Sequence, residues 1–213
     1  MAKEIERKFL VRFDDYLKDA TKVETLMQSY VNGVEGVYIS IFASVDKGYV
    51  EIDTEQDAWA IAINSEDAAE IAKQDVDALT VRLRSVDDTT AFLTIKGRSS
   101  DDGLERDEWE YPISLELYNS ICSTLELEYL RKFRYTCPLD SLVIEVDLFE
   151  SEEGVKPQEL AEIEFPVGYD HSQILWLPGW VGEEVTGNVD YYNSVMIKSG
   201  KIKTGKFTKQ TKN

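Results

Sequence analysis

The fold is decided by the stretch Glu4-Ile5-Glu6-Arg7-Lys8, close to the start of the chain. Successive side chains of a β-strand point to opposite faces, so Glu4, Glu6 and Lys8 share one face. Ile5 and Arg7 share the other face. The stretch therefore predicts a strand that carries both signs of charge on a single face.

Charged residues spaced two apart recur in the strands predicted after this stretch. They are Arg82 and Arg84; Lys96 and Arg98; Arg106, Glu108 and Glu110; Lys132 and Arg134; Glu145 and Asp147; and Glu162 and Glu164. A solvated outer face explains any one of these pairs. Several strands, however, carry charge of only one sign, whereas solvated faces usually mix the signs. This segregation favours the inner face of a closed barrel.

Inside a barrel these faces would bring eight cations to eight carboxylates. Desolvating such charges costs several kcal/mol per ion, so the lumen must be wet or a ligand must compensate. Guanidinium groups bind phosphate oxygens bidentately, and carboxylates without histidine suit Mg²⁺ or Mn²⁺. The two sets of residues together predict a metal–triphosphate site. The cations are Lys8, Arg82, Arg84, Lys96, Arg98, Arg106, Lys132 and Arg134, and the carboxylates are Glu4, Glu6, Glu108, Glu110, Glu145, Asp147, Glu162 and Glu164.

Alternation with period 2 extends over much of the chain and predicts a mainly β fold of the α+β type. Helices are predicted at 13–20, 65–75 and 114–125. Strands are predicted near 3–11, 26–33, 36–45, 48–55, 58–63, 79–86, 90–97, 104–112, 131–137, 142–149 and 159–166.

Composition excludes several classes of protein. The chain has 213 residues and a net charge of −18, from 23 Lys+Arg and 41 Asp+Glu, which argues against generic nucleic-acid binding. The only histidine is His171, and Cys122 and Cys137 are the only cysteines, so a Cys/His zinc site is ruled out. No apolar run approaches the ~20 residues that span a membrane, and no signal-peptide core is present, so we expect a cytoplasmic protein without a membrane partner.

Two segments depart from the rest in charge. Residues 33–78 contain eleven acids and two bases and are interpreted as an acidic insertion in a single domain of residues 1–195. The insertion is either a solvated decoration or an element that makes a homo-oligomer through an exposed edge strand. Residues 196–213 form a basic C-terminal tail, with six lysines and no acid from Lys198 to Lys212, and we expect a solubilising end.

The charged stretch resembles the E-x-E-x-K signature of the CYTH superfamily, also called triphosphate tunnel metalloenzymes. The resemblance covers residues 3–32 and 79–195 and is nearest to the short bacterial inorganic triphosphatase branch. Its further motifs, in order, are Gln28-Ser-Tyr30, Thr80-Val-Arg82-Leu-Arg84, Ala91-Phe-Leu-Thr-Ile-Lys96-Gly97, Arg106-Asp-Glu108-Trp-Glu110-Tyr-Pro, Lys132-Phe-Arg134-Tyr, Ile144-Glu-Val-Asp147-Leu-Phe, Leu160-Ala-Glu162-Ile-Glu164-Phe, Gly182-Glu-Glu-Val-Thr186-Gly and Tyr191-Tyr-Asn193.

The resemblance implies a closed antiparallel barrel of about eight strands that forms a tunnel, with helices packed outside. It implies catalytic roles for Lys8 and Tyr30. It implies triphosphate binding by Lys8, Arg82, Arg84, Lys96, Lys132 and Arg134, and Mg²⁺ or Mn²⁺ held by ligands drawn from Glu4, Glu6, Glu108, Glu110, Asp147, Glu162 and Glu164. Arg98, Arg106 and Glu145 are added because they lie on the same faces. Ser29 replaces the usual glycine of the Q-G-Y motif and the insertion is unusually long, which leaves the substrate open.

The leading expectation is hydrolysis of inorganic triphosphate to pyrophosphate and phosphate. The alternatives are hydrolysis of a nucleoside or thiamine triphosphate, nucleotide cyclisation, and non-catalytic binding of a polyphosphate nucleotide.

Overall fold

A ring of antiparallel β-strands forms the centre of the structure, a computed structural model that describes residues 2–171 and 176–209. The four α-helices of the described residues are α1 (Tyr16–Asp19), α2 (Ser65–Ile71), α3 (Leu115–Thr124) and α4 (Asn193–Ser199). The strands are β1 (Ala2–Val11), β2 (Lys22–Tyr30), β3 (Tyr38–Ala43), β4 (Gly48–Asp53), β5 (Ala58–Ile63), β6 (Thr80–Val86), β7 (Thr90–Lys96), β8 (Glu105–Ile113), β9 (Glu128–Leu139), β10 (Leu142–Phe149), β11 (Glu159–Glu164), β12 (Val181–Glu184) and β13 (Thr204–Lys206).

Eight of these strands close into a barrel in the order β1–β8–β7–β6–β2–β9–β10–β11, and β11 returns to β1. At the closure, Glu6 lies opposite Glu164 and Lys8 lies opposite Glu162. Every strand of the ring has two partners, so the ring itself exposes no edge. The predicted eight-stranded antiparallel barrel is confirmed.

The barrel wall is apolar on its outside and charged on its inside. On β6, Val81 and Leu83 point outwards into a core that is fully buried, whereas Arg82 and Arg84 point inwards. Helix α3 covers this outer face with Tyr118, Ile121 and Cys122 of its buried side. Burial of the apolar positions outside the ring leaves the alternate, charged positions no place except the lumen.

The acidic insertion folds as a β3–β4–β5 meander followed by α2, so its three predicted strands are present and the predicted helix ends earlier, at Ile71. The inner face of the meander is buried in the same apolar core as Val81 of the barrel, through Val50, Ile52 and Ile61. The Trp59 Nε1 atom also donates to the Ser120 Oγ atom of α3 at 3.2 Å. The insertion is therefore more than a solvated decoration, because one face of it covers the barrel.

The lysine-rich segment packs onto the barrel as far as Lys206. Strand β13 pairs with β9, and Met196, Ile197 and Ile202 are buried. This segment is more than a solubilising end, because apolar side chains between the exposed lysines are buried against the barrel. The elements β12, β13 and α4 were not predicted. How the chain divides into domains stays a prediction.

Among the described residues, no helix has both the length and the apolar character that crossing a bilayer requires.

Candidate active site in the barrel lumen

A cavity of about 780 Å³ occupies the lumen of the barrel. All eight predicted cations line it, together with Tyr30 and seven of the eight predicted carboxylates. The eighth, Asp147, lies behind the lining and is completely buried. The alternation in the sequence thus identified which side chains share the lumen.

The two ends of the lumen differ in character. At one end, Glu110, Glu145 and Glu164 are partly exposed and line an open mouth. At the other end the inward positions become apolar, and α4 packs its Met196 and Ile197 side chains against them. These inward apolar residues are Leu10, Leu130, Phe149 and Leu160. The start of α4 and loop 97–103 line the cavity beside this apolar layer.

Strand β6 contributes two arginines to the lumen. The Arg84 Nη2 atom donates to both carboxylate oxygens of Glu110, at 3.1 and 2.9 Å, and the Arg82 Nη2 atom donates to the Thr94 Oγ1 atom at 3.0 Å. The Nε atoms of both arginines are buried without a hydrogen-bond partner among the described residues. Burial and the neighbouring Arg82 lower the pKa of Arg84. This part of the wall has unused donors and surplus positive charge, which is what an anionic ligand requires.

Strand β9 contributes Lys132 and Arg134, and both are tied to Asp147. The Asp147 carboxylate accepts from Lys132 Nζ at 2.5 Å and from two Arg134 nitrogens at 2.7 Å each. Arg134 also pairs with Glu145 and, at 3.1 Å, with Glu162. Asp147 was predicted as a metal ligand, but the structure places it as the buried counter-ion of these two cations.

Carboxylates are concentrated on the opposite side of the ring, where β11, β1 and β8 are neighbours. Lys96 Nζ contacts Glu4 at 2.8 Å and Glu108 at 2.6 Å, and Arg106 Nε donates to Glu4 at 2.5 Å. Burial raises the pKa of Glu4, but Lys96 and Arg106 outweigh it and hold the pKa well below its ordinary value. Glu4 therefore stays ionised around neutral pH.

Negative charge exceeds positive charge at two of these carboxylates. Burial raises the pKa of Glu108, and the adjacent Glu4 raises it further against the pull of Lys96. Burial and four neighbouring carboxylates, Glu4 and Glu108 first among them, raise the pKa of Glu164. A divalent cation bound to oxygen ligands would relieve this excess, so the donor set has the chemistry that Mg²⁺ and Mn²⁺ prefer.

The carboxylates are not arranged as a finished metal site. Within the described ranges, no three Asp, Glu, His or Cys side chains converge as a ligand group. Glu4, Glu6 and Glu162 each contact a lysine or an arginine instead. Holding a metal would require some of them to exchange these partners.

Lys8 and Tyr30, the predicted catalytic residues, lie in the inner half of the lumen. Lys8 Nζ contacts Glu162 at 2.9 Å, and burial lowers its pKa less than Glu162 and Glu6 raise it, so the pKa ends above its ordinary value. The Tyr30 hydroxyl oxygen accepts from Gln28 Nε2 at 3.3 Å. Burial raises the pKa of Tyr30 even though Arg82 and other cations are near. Both groups therefore hold their protons at neutral pH.

Three other placements complete the site. Arg98 is exposed at the rim and forms no ion pair with another described residue. Thr94, which was not predicted, donates to Glu110 at 2.8 Å, and its spacing of two from Lys96 was the signal for it. Tyr192 was also missed as a lumen residue, and its ring centroid lies 5.7 Å from Lys8 Nζ.

A closed barrel with paired cations and carboxylates in its lumen defines the class of triphosphate tunnel proteins. No family model matches the chain. It is similar to a curated inorganic triphosphatase of Acetivibrio thermocellus, with 31% identity over 201 residues that cover 93% of this chain and 96% of that protein. It is also similar to a curated inorganic triphosphatase of Nitrosomonas europaea, with 33% identity over 124 residues, 58% of this chain and 78% of that protein.

Solved structures give further similarities. A crystal structure described as an inorganic triphosphatase is 24% identical, with a TM-score of 0.49, and the match covers 93% of this chain and 97% of that one. A putative adenylyl cyclase from Hippeastrum, described as having a dominant triphosphatase activity, is 14% identical with a TM-score of 0.44 over 76% of this chain and 79% of that one.

The similarity to the Acetivibrio protein extends over nearly the whole of both chains. This chain belongs to the CYTH, or triphosphate tunnel metalloenzyme, family and resembles its short bacterial branch.

Proposed function

We propose that this chain hydrolyses inorganic triphosphate to pyrophosphate and phosphate with the help of a divalent metal ion. The observation that carries the proposal is the division of the lumen. The cations Arg82, Arg84, Lys132 and Arg134 lie on β6 and β9, which flank β2, and the carboxylates Glu4, Glu6, Glu108 and Glu164 lie on the opposite strands β1, β8 and β11. The two curated relatives, both named inorganic triphosphatase, support the same reaction.

The cations would hold the phosphate chain. Arg82 and Arg84 have buried Nε donors without a partner, and both line the cavity. Charge in phosphoryl transfer spreads over the non-bridging phosphate oxygens, so fixed donors around the chain lower the barrier by positioning and by electrostatic stabilisation. The guanidinium groups would thus bind substrate and stabilise the charge that moves during the reaction.

The carboxylates Glu4, Glu6, Glu108 and Glu164 are the residues that would hold Mg²⁺ or Mn²⁺. When bound, such an ion neutralises phosphate charge and lowers the pKa of a bound water. The raised pKa of Glu164, caused by burial and by its carboxylate neighbours, supports this choice of ligands.

Lys8 would act as a charged donor and not as a base, because its raised pKa keeps the ammonium group protonated at neutral pH. Tyr30 keeps its hydroxyl proton because burial raises its pKa. Together they would donate hydrogen bonds to phosphate oxygens in the inner half of the lumen, where they offset the negative charge of the leaving phosphate.

Turnover of a substrate panel tests the proposal. Purified protein is given inorganic triphosphate, ATP, GTP or thiamine triphosphate with Mg²⁺ or Mn²⁺, and phosphate and pyrophosphate are measured. We expect the highest kcat/KM with inorganic triphosphate, equal amounts of the two products, and no turnover in excess EDTA. Lys8→Met should be inactive while Lys73→Met, in the acidic insertion, keeps the wild-type rate.

Two outcomes would contradict the proposal. A higher kcat/KM with ATP, GTP or thiamine triphosphate would make the chain an organic triphosphatase. Tight binding of triphosphate without release of phosphate under any metal condition would make it a binding protein.

A further inference from the structure

Strand β1 changes partners next to Lys8. Its pairing with β8 ends at Ile5 opposite Glu105, and its pairing with β12 begins at Phe9 opposite Glu184. Between these points the backbone of Lys8 would lack a strand partner on this edge. An unpaired backbone N–H beside a cavity leaves the strand free to shift, so some other group must hold Lys8.

The segment Gly182-Glu-Glu-Val-Thr-Gly187 supplies that group. The Val185 N–H donates to the Lys8 carbonyl oxygen at 2.8 Å, and the Lys8 N–H donates to the Thr186 Oγ1 atom at 3.0 Å. Both backbone groups of Lys8 on this edge therefore have a hydrogen-bond partner, and the partner of the Lys8 N–H is a side chain.

The Thr186 hydroxyl is itself oriented. It donates to the Glu184 Oε1 atom at 2.8 Å, which leaves its lone pairs for the Lys8 N–H. The Glu184 carboxylate is held by Arg7, whose Nε and Nη2 atoms donate to its two oxygens at 2.9 and 2.6 Å. Bidentate pairs of this kind fix geometry as well as contributing energy.

The two glycines of the segment allow it to approach so closely. A Cβ atom on Gly182 would lie 2.7 Å from the Leu10 carbonyl oxygen. Gly187 has φ +73°, and a Cβ atom there would lie 2.4 Å from the Asp102 carbonyl oxygen. The close approach of this segment thus gives a physical reason for glycine at both Gly182 and Gly187.

We infer that Arg7, Glu184 and Thr186 form a positioning network that holds Lys8 from the outer face of β1. Side chains alternate along the strand, so Arg7 lies outside the barrel while Lys8 reaches into the lumen. The network fixes the backbone from which the ammonium group extends, and so sets where the ammonium group meets substrate. This inference rests on the proposed function, in which Lys8 contacts the triphosphate.

Thr186→Val keeps the shape of the side chain and removes the hydroxyl. We expect kcat for inorganic triphosphate to fall about tenfold, since a lost hydrogen bond and a small displacement of a substrate contact act together. Thr186→Ser should restore kcat to within about threefold of wild type because it returns the hydroxyl. The matched control is Thr90→Val, an exposed strand residue that does not line the cavity, and it should leave kcat unchanged.

A double-mutant cycle shows whether Thr186 acts through Lys8. Triphosphate affinity is measured by calorimetry in EDTA, where no turnover occurs. Thr186→Val should weaken binding about fivefold in the wild-type background and have no effect in a Lys8→Met background. Glu184→Gln, which keeps Thr186, should also weaken binding. It replaces Thr186→Val in the test if Thr186→Val does not fold.

The outcomes separate this inference from the proposed function. Unchanged kcat and affinity in both Thr186→Val and Glu184→Gln would overturn the network and leave the triphosphatase activity standing. Equal losses from Thr186→Val with and without Lys8 would also overturn it. A wild-type protein that binds triphosphate without hydrolysing it would refute the proposed function, and the affinity cycle would still test the network.

Discussion

Asp147→Asn should destabilise the protein and leave the proposed metal requirement intact. Asp147 is completely buried behind the lumen lining and is the carboxylate that Lys132 contacts in the described structure, at 2.5 Å. Arg134, its second partner, keeps Glu145 and Glu162 after the substitution. The cost therefore falls mainly on Lys132, which becomes a buried cation without a counter-ion.

The expected loss of stability is set by the burial of Lys132. Breaking a buried ion pair by removing one partner costs about 3–5 kcal/mol. Burial already lowers the pKa of Lys132 from 10.5 to about 8 with Asp147 present, so without it the amine becomes neutral in the folded protein. Deprotonating a lysine of pKa about 10.5 at pH 7 costs about 5 kcal/mol, which sets a similar ceiling. A loss of this size lowers the melting temperature by about 6–20 °C for a chain of this length.

The loss of stability caused by Asp147→Asn should also depend on pH. In the variant, the unfolded state binds one more proton at Lys132 than the folded state does below pH 8, so stability of the variant rises with pH there. In the wild type this rise begins only above the folded pKa of about 8. The difference in unfolding free energy should therefore shrink by up to about 1.4 kcal/mol per pH unit between pH 6 and 8.

Urea denaturation at pH 6, 7 and 8 measures these differences. The matched control is Asp140→Asn, an exposed turn residue with φ 51°, a conformation that asparagine tolerates. A variant with wild-type stability and a much weaker Mg²⁺ dependence of turnover would refute the reasoning. It would return Asp147 to the role of metal ligand that the sequence had predicted.

Three further expectations follow from other parts of the structure. Glu164→Gln should require a higher Mg²⁺ concentration for half-maximal turnover without lowering the melting temperature, because burial and like charges raise the pKa of Glu164; an unchanged Mg²⁺ titration contradicts this. Arg84→Ala should weaken triphosphate binding by about 2–5 kcal/mol and barely change stability, since relief of cation crowding offsets the lost contact with Glu110; unchanged KM and kcat contradict this. Burial raises the pKa of Cys122 to about 12 and of Cys137 to about 11, so iodoacetamide at pH 8 should label neither thiol until the protein is unfolded.

The alternation of charge in the sequence predicted which side chains line the lumen, because a strand has only two faces. It did not give the depth of each residue along the barrel, and Asp147 shows the difference. Asp147 shares its face with Glu145, which lines the cavity, and lies two residues from Phe149 in the apolar layer that closes the inner end. Depth depends on how the eight strands are staggered, which is a property of the closed ring and not of any one strand.

Contacts between distant segments were the other part that the sequence could not provide. The strands of the insertion were predicted, but a pattern of period 2 names a buried face without naming the surface that buries it. Val50 and Ile52 proved to share one buried apolar core with Ile71 of α2 and with Val81 on the outside of the barrel. In the C-terminal segment, the lysines obscured Ile197 and Ile202, whose burial depends on an apolar barrel end that only the folded structure presents.

Many of the charged side chains in the lumen are paired with one another. Lys96 is shared by Glu4 and Glu108, and Lys8 lies between Glu6 and Glu162. A phosphate chain competes with carboxylates for the same ammonium and guanidinium groups, and each carboxylate it displaces becomes an unpaired acid that a divalent cation can hold. We therefore expect ligand binding to be an exchange of ion-pair partners, because the residues that pair across the lumen are the same residues that a phosphate chain and a divalent cation would contact.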